Sequence, residues 1–408
     1  MKRMLKLALA GLASLALALA LGCSSDKSAD TGKAGDTLLV GIVLPLSGDQ
    51  AKFGEIEKKS FDMALEEINA AGGIGGKKLK FLYEDDTGKP DVGRSAAEKL
   101  ITKDKVLMLS GGYSSSVTKA VAGVAQQNKM PFLICTGSAD DITEQGWDYV
   151  FRLNPPASEY PRAVESFLTQ VVQPKTTAIL YENSNFGTSS SKEFSKTCEK
   201  LGIQVVVMEG YESGGVDFKP LLVKVKEKNP DIVYMVSYVM DASLLMKQAA
   251  ELKIKHKAFI GGGAGFTLPE FIQNTGPLGN GVFSATLWYQ TLPYPGAQKY
   301  FDDYKKKYNG ETEYHGAEAY AAAYVVADTL KRAKAMTAEE IKQSLLATNM
   351  MTVFGPVKFA SYDKKINQNQ VATYMVQWIG GKLELVWPEA QASKKFLYPI
   401  DWEALWKK

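Results

Sequence analysis

Two short hydroxyl-rich stretches and one run of glycines carry most of the chemistry that can be read in this 408-residue chain. The first is Gly111-Gly112-Tyr113-Ser114-Ser115-Ser116-Val117-Thr118, which follows the apolar run Val106–Leu109 and opens a helical stretch. Hydroxyls and free backbone N–H groups at a helix N-terminus make a site for an anion. The plainer alternative is that Ser114 or Ser115 only caps the helix. The second is Thr136-Gly137-Ser138-Ala139, just after Pro131–Ile134. In an open α/β sheet, ligands bind at the carboxyl ends of strands. Two neighbouring strand ends of this kind suit the two oxygens of one carboxylate, unless the second is an ordinary turn. The third is Gly261-Gly262-Gly263-Ala264-Gly265. Its spacing is not G-x-G-x-x-G and no acid follows about 20 residues on, so it is not read as a dinucleotide loop but as a place of close approach. No G-x-S-x-G frames the serines, and two His in the whole chain give no paired general base and no metal-ligand motif. The chemistry expected is therefore binding without catalysis, cofactor or metal.

These stretches need strands and helices to hold them. Thr37–Pro45 is a near-continuous apolar run, as in a strand buried on both faces. A helix follows over Gly54–Ala71, with Ile56, Phe61, Ala64, Leu65 and Ile68 at helical spacing and Gly72-Gly73 to stop it. Strands at Leu79–Tyr83, Val106–Leu109 and Pro131–Ile134 alternate with helices at Arg94–Thr102 and Ser116–Gln127. After Asn154-Pro155-Pro156 a second series begins, with strands at Thr177–Leu180, Gln204–Met208, Asp231–Val236 and Ala258–Ile260. Strand starts recur roughly every 25–30 residues, the rhythm of an open parallel sheet with right-handed crossovers. Two series imply an α/β protein of two doubly wound lobes. Helices at Ala297–Tyr308 and Ala317–Ala335, a capping box at Thr337–Glu340 and a late strand at Val371–Trp378 suggest a return of the chain to the first lobe.

Lys plus Arg number 48 and Asp plus Glu 45. Three of those cations, Lys2, Arg3 and Lys6, precede an apolar run from Leu7 to Leu21, so the remainder is balanced and no nucleic-acid partner is expected. A basic start, a run of about 15 apolar residues and a small residue before a cut describe a secretory signal, and the run falls short of the roughly 20 that span a bilayer. Ala20-Leu21-Gly22-Cys23 is similar to a bacterial lipobox, in which Cys23 is lipidated and becomes the mature N-terminus. Ser24–Asp36 has no large apolar residue and reads as a flexible tether. The expected divisions are signal peptide 1–22, lipidated Cys and tether 23–36, one lobe from 37–155 plus 288–361, and another from 156–287 plus 362–408. Cys135 and Cys198 are either buried free thiols or a bridge.

Taken in order, these pieces resemble type I periplasmic substrate-binding proteins, specifically the leucine/isoleucine/valine-binding family. The likeness runs roughly from Thr37 to Trp387. It rests on Val40–Gly48 followed by Phe53-Gly54, on Ala64–Gly76, on Tyr83–Asp86, and on Gly112–Ser116, Phe151-Arg152, Phe186-Gly187, Asp217-Phe218 and Gly355-Pro356. The resemblance implies two Rossmann-like lobes joined by three crossing segments, which close on a ligand by a hinge motion. It also implies recognition of the loaded protein by the permease of an ABC transporter, at the periplasmic or extracellular face of the envelope. Carried over, Ser114 and the backbone near Ser115 would meet a ligand carboxylate, and Thr136, Gly137 and Ser138 would bind its head group. Phe53 and Phe186 would wall the side-chain pocket, with Tyr238 from the second lobe. Amino-acid-binding members place an acid after the strand ending near Ile260, where this chain has Gly263 and its neighbours instead. Either another acid, such as Asp241, Glu270 or Glu318, pairs with an ammonium, or the ligand has none. The aromatics Tyr113, Tyr160, Trp288 and Tyr289 would suit a flat apolar acid. A ligand sensor reporting to a membrane receptor would share the same lipobox and tether.

Overall fold

The computed structural model describes residues 37–406. The expected signal segment, Cys23 and the tether fall outside them. The first series forms a parallel sheet from β1 (Thr37–Leu44), β2 (Lys78–Asp85), β3 (Leu109–Gly111), β4 (Phe132–Ile134) and β5 (Val150–Arg152). β1 pairs with β2 along its whole length, from Thr37↔Lys78 to Leu44↔Asp85. From Val40 to Leu44 it is buried, because helices α1 (Ala51–Ala70), α2 (Pro90–Thr102) and α3 (Ser115–Gln127) cover the sheet faces. Gly54 has to be glycine, since a Cβ there would lie 2.0 Å from the Pro45 carbonyl oxygen. β3 begins three residues later than the apolar run suggests. Val106–Met108 lead in, hydrogen-bonding to β1 through Leu107 N to Leu39 O, and the paired register carries Gly111 into the sheet opposite Val43.

After α4 (Pro161–Phe167) the second series builds its own sheet from β6 (Thr176–Glu182), β7 (Gln204–Tyr211), β8 (Ile232–Val236), β9 (Ala258–Gly261) and β10 (Phe283–Thr286). Helices α5 (Asn185–Leu201), α6 (Lys219–Lys228), α7 (Val239–Glu251) and α8 (Pro269–Thr275) connect them. The chain then returns. α9 (Ala297–Tyr308) and α10 (Tyr314–Arg332) pack on α1 through Ser60 Oγ to Tyr300 OH at 2.7 Å and through Tyr324 OH to Glu67. α11 (Ala338–Leu346) follows, capped by Thr337 Oγ1, which accepts from Glu340 N.

Strands at the end of the chain, where one was expected, number six. A β11–β12 hairpin (Asn349–Thr352, Gly355–Lys358) precedes β13 (Ala360–Tyr362) and β14 (Lys365–Gln368). β14 pairs beside β5 through Gln368↔Arg152, so residues 365–368 lie in the first sheet, past the expected changeover at 361. β15 (Tyr374–Ile379) and β16 (Lys382–Trp387) then add antiparallel to β10 at the edge of the second sheet. The chain thus crosses between two seven-stranded sheets three times. Each sheet with its helices makes one of the two lobes. Cys135 and Cys198 are both buried, and among the described residues neither is bridged.

Candidate functional site

The ends of β3 and β4 are laced together. Gly111 and Gly112 have φ of +95° and +85°, which turns the chain sharply out of β3 toward α3. The Gly112 carbonyl accepts from Gly137 N at 2.8 Å and Thr136 N at 3.4 Å. Ser115 Oγ accepts from Ser138 N at 3.1 Å and Ala139 N at 3.0 Å. Ser114 stands at the N-cap position of α3, yet its side chain makes no capping bond. Arg152, fully buried at the end of β5, donates to the carbonyls of Gly137 and Ala139 and to Thr143 and Gln368, and so fixes the β4 loop from behind. The backbone N–H groups of Thr136, Gly137, Ser138 and Ala139 are therefore spent within the loops, and from this strand end the hydroxyls are what remain.

Above these ends lies a small cavity. The first lobe lines it with Tyr113, Ser115, Thr136 and Ser138, and the first crossing with Tyr160. The second lobe adds Phe186, Tyr238 and Ala264, and the start of α10 adds Tyr314 and His315. Six of the expected ligand-binding residues thus meet at one place. The other four stand just behind it. Phe53 is fully buried and stacks on Tyr113 with ring centroids 4.4 Å apart. Gly137 packs on Thr118, where a Cβ would lie 2.7 Å from the hydroxyl. Ser114 sits beside Tyr238. Gly263, at φ +89°, donates to Ser284 Oγ and lets the backbone pass close to Tyr314 and Tyr160. Trp288 and Tyr289 are elsewhere: Trp288 Nε1 donates to Val353 O, and Tyr289 OH to Leu383 O. A larger open groove, lined by Asp49, Gly214, Met240 and Asp241, adjoins the cavity at Tyr238.

Among the described residues, no Lys or Arg lines the cavity. Among the same residues, the hydroxyls of Tyr113 and Tyr238 are buried without a hydrogen-bond partner, although Tyr238 OH sits near Ser114, Ser184 and Gln50. Burial pushes both phenols up, so they remain O–H donors. Three acids that sequence reading either passed over or left as one option stand close behind. Glu57 is fully buried on α1, with Oε1 2.9 Å from Thr136 Oγ1. Glu318 is fully buried on α10, with neither oxygen partnered. Burial pushes both well above the usual carboxylate range. Glu313 caps α10 and pairs with His315 Nδ1 at 2.8 Å. The signal for Glu57 was its place on the stripe Phe53–Glu57–Ser60–Ala64, an acid on the buried face of a helix. Tyr314 and His315 open a helix read as starting at Ala317, and so were missed. Asp241 is held by Ser213 and Gly214 in the outer groove.

The lobes are shut on this cavity by polar contacts. At the N-terminus of α5, Asn185 N donates to Ser116 Oγ at 3.2 Å and Asn185 Nδ2 to Asp141 Oδ1 at 2.9 Å. One turn later Ser189 Oγ donates to Asp140 Oδ2 at 3.1 Å. Across the cavity, Ala264 N donates to Tyr314 OH at 2.9 Å, and Thr267 Oγ1 to Glu313 at 3.1 Å.

Known proteins share both the sequence and the architecture. A family model described as periplasmic binding protein matches residues 37–382. A Leu/Ile/Val-binding protein homologue 8 from Brucella suis is 31% identical over 405 residues, covering 95% of this chain and 99% of that one. The branched-chain amino acid transporter substrate-binding protein LivJ of Streptococcus pneumoniae, solved in complex with isoleucine, superposes with a TM-score of 0.79 at 26% identity, over 86% of this chain and 99% of LivJ. A solute-binding protein of an ABC transporter from R. palustris, solved with benzoate, has the same fold, with a TM-score of 0.77 at 20% identity over 90% and 99% of the two chains. Family model, relatives and fold agree: the chain belongs to the periplasmic binding proteins of ABC transporters, in the type I, Leu/Ile/Val-binding family.

Proposed function

We propose that the cavity captures a small carboxylate ligand, an amino acid or a related aromatic or aliphatic acid, and that the closed, loaded protein delivers it to its ABC permease. One observation carries this reading: the Tyr113 and Tyr238 hydroxyls are buried and unpartnered over a floor that holds Thr136 and Ser138. A buried donor without an acceptor is costly, and an anionic oxygen would satisfy it. The stacked Phe53–Tyr113 pair and Phe186 supply apolar walls for the rest of the ligand. Ser114, next to Tyr238, is a further donor. We further propose that the ligand's carboxylate matters more than any ammonium. The Gly261–Gly265 loop has no acid, and burial disfavours charge on Glu57 and Glu318, which gives a cation little to pair with. Hydrolytic chemistry has no part in this reading, and Cys23 is proposed to carry the lipid that holds the protein at the envelope.

A thermal-shift panel tests the proposal. It contains L-isoleucine, L-leucine, benzoate and 4-methylpentanoate, the last being leucine without its nitrogen. A true ligand at 100 times its dissociation constant adds about 2.7 kcal/mol of stability. Stabilisation by a carboxylate, retained when the α-nitrogen is removed, is the expected result. No response to any member, or tight binding of L-leucine with none of 4-methylpentanoate, would overturn it.

A further inference from the structure

Thr136 has one hydroxyl hydrogen and three possible uses for it. Its Oγ1 lies 2.9 Å from Glu57 Oε1 and 3.2 Å from the Gly112 carbonyl oxygen, and it also faces the cavity. The Gly112 carbonyl already accepts two backbone N–H groups, from Thr136 and Gly137. If Glu57 were ionised it would take the hydrogen outright, because a charged acceptor outcompetes a neutral one. Thr136 would then turn only lone pairs toward the cavity and repel an anion.

The surroundings of Glu57 disfavour that charge. The side chain is fully buried, its Oε2 has no partner, and its one hydrogen bond among the described residues is to Thr136. The titratable groups facing it are Asp86 after β2, Tyr113 after β3, Cys135 after β4, and Glu313 and Glu318 on α10. Each is an acid or a neutral donor, and no cation pairs with it.

We propose that Glu57 is a positioning residue of the ligand site: as an uncharged carboxylic acid it donates its hydrogen to Thr136 Oγ1, and so frees the threonine hydroxyl to donate to an anionic group in the cavity. The proposal rests on the reading of the cavity as a carboxylate site. Atoms balance without any transfer, since each group keeps its own proton and only the direction of the two hydrogen bonds is set. Ionisation of Glu57 at high pH reverses the Thr136 hydrogen and releases the anion.

Two measurements test this. Infrared difference spectra of the ligand-free protein at neutral pH, wild type minus E57Q, should show the C=O band of a protonated carboxylic acid. Its absence overturns the proposal whatever the protein binds. Calorimetry with benzoate and with L-isoleucine then compares E57Q, E57L, T136V and E57L/T136V. E57L and T136V should each weaken binding about 10-fold or more. E57Q, whose amide N–H₂ makes the same donation, should recover most of the binding lost in E57L. The double variant should bind no more weakly than T136V, because Glu57 acts through Thr136. Affinity should fall about 10-fold per pH unit above the ionisation of Glu57 in the wild type and stay flat in E57Q. Wild-type affinity in E57L, E57Q as weak as E57L, or additive losses in the double variant would each overturn it. A wild type that binds neither probe counts against the carboxylate site and not against the proton on Glu57, which the infrared band decides by itself.

Discussion

The N-terminus of α5 gives a way to open the lobes without touching the cavity. Asn185→Ala with Ser189→Ala removes one side-chain donor to Asp141, one to Asp140, and the hydroxyl that accepts from Asp140 N at 3.3 Å. Neither carboxylate is stranded: Asp141 keeps its ion pair with Lys119, and Asp140 keeps Ser158 and Lys365. All three are part-buried; the two side-chain donations are worth about 1 kcal/mol each and the long Asp140 N bond adds little, so together they stabilise the closed form by about 2 kcal/mol. At 1.4 kcal/mol per decade, that shifts the closure equilibrium about 30-fold. Apparent affinity scales with the closed fraction, so binding of L-isoleucine or benzoate should weaken by about 10- to 30-fold. The radius of gyration of the ligand-free protein should rise in small-angle scattering. The unfolding midpoint of the ligand-free protein should hold, because the lost contacts bridge the lobes rather than fill either core. Unchanged affinity and radius would refute the reasoning, and so would a lower unfolding midpoint accounting for the whole effect.

Tyr238→Phe removes a buried hydroxyl that has no partner. The ligand-free variant should be as stable as wild type or more so, while anion affinity falls about 10-fold; a stability loss in thermal melts with intact binding contradicts this. Asp86→Asn addresses pH. Burial pushes Asp86 up to about 6 against the opposing Gly88 N–H bond. The folded protein therefore holds its proton more tightly than the unfolded chain, and the stability this contributes is full below about pH 4 and lost as pH rises through about 6. Two pH units correspond to about 3 kcal/mol, so urea titrations at pH 4.5 and 8 should show the asparagine variant gaining over wild type only at the higher pH. A constant difference at both values would rule this out. Cys23→Ala should release the protein from membranes in a fractionation assay, and retention would argue for an uncleaved N-terminal helix.

Much of the architecture was legible because buried parallel strands announce themselves as unbroken apolar runs. Thr37–Leu44 is such a run, and its bounds agree with expectation to within a residue. The strands that add late do not read this way. β13 (Ala360–Tyr362) is a three-residue, largely exposed edge strand, and β14, its hairpin partner, joins the sheet through Arg152 across more than two hundred positions. Within the site, Ser115, Thr136 and Ser138 were legible because hydroxyls clustered after strands. Their backbone N–H groups were not, since whether an N–H is free depends on which loop lies beside it. His315 and Tyr314 come from a helix distant in sequence, and Glu57 from a helix face whose burial only the return of α10 completes. Trp288 and Tyr289 show the converse: aromatics close in sequence to a strand end, but turned toward another layer.

The three crossings have a further consequence, for the order in which the chain becomes a folded protein. β5 and β10 are interior members of their sheets only because β14 and β15 lie against them, and those strands belong to the last fifty residues of the chain. Until they arrive, each half-built sheet presents an apolar strand, Val150-Phe151 in one and Phe283–Thr286 in the other, with one side unpaired. Such an edge is a template for another chain. Both lobes therefore reach completion together, through pairings of large sequence separation that form slowly. A chain cut near residue 355 should not yield one sound lobe and one broken one. It should leave two open edges at once, and self-association rather than a stable fragment is its expected fate.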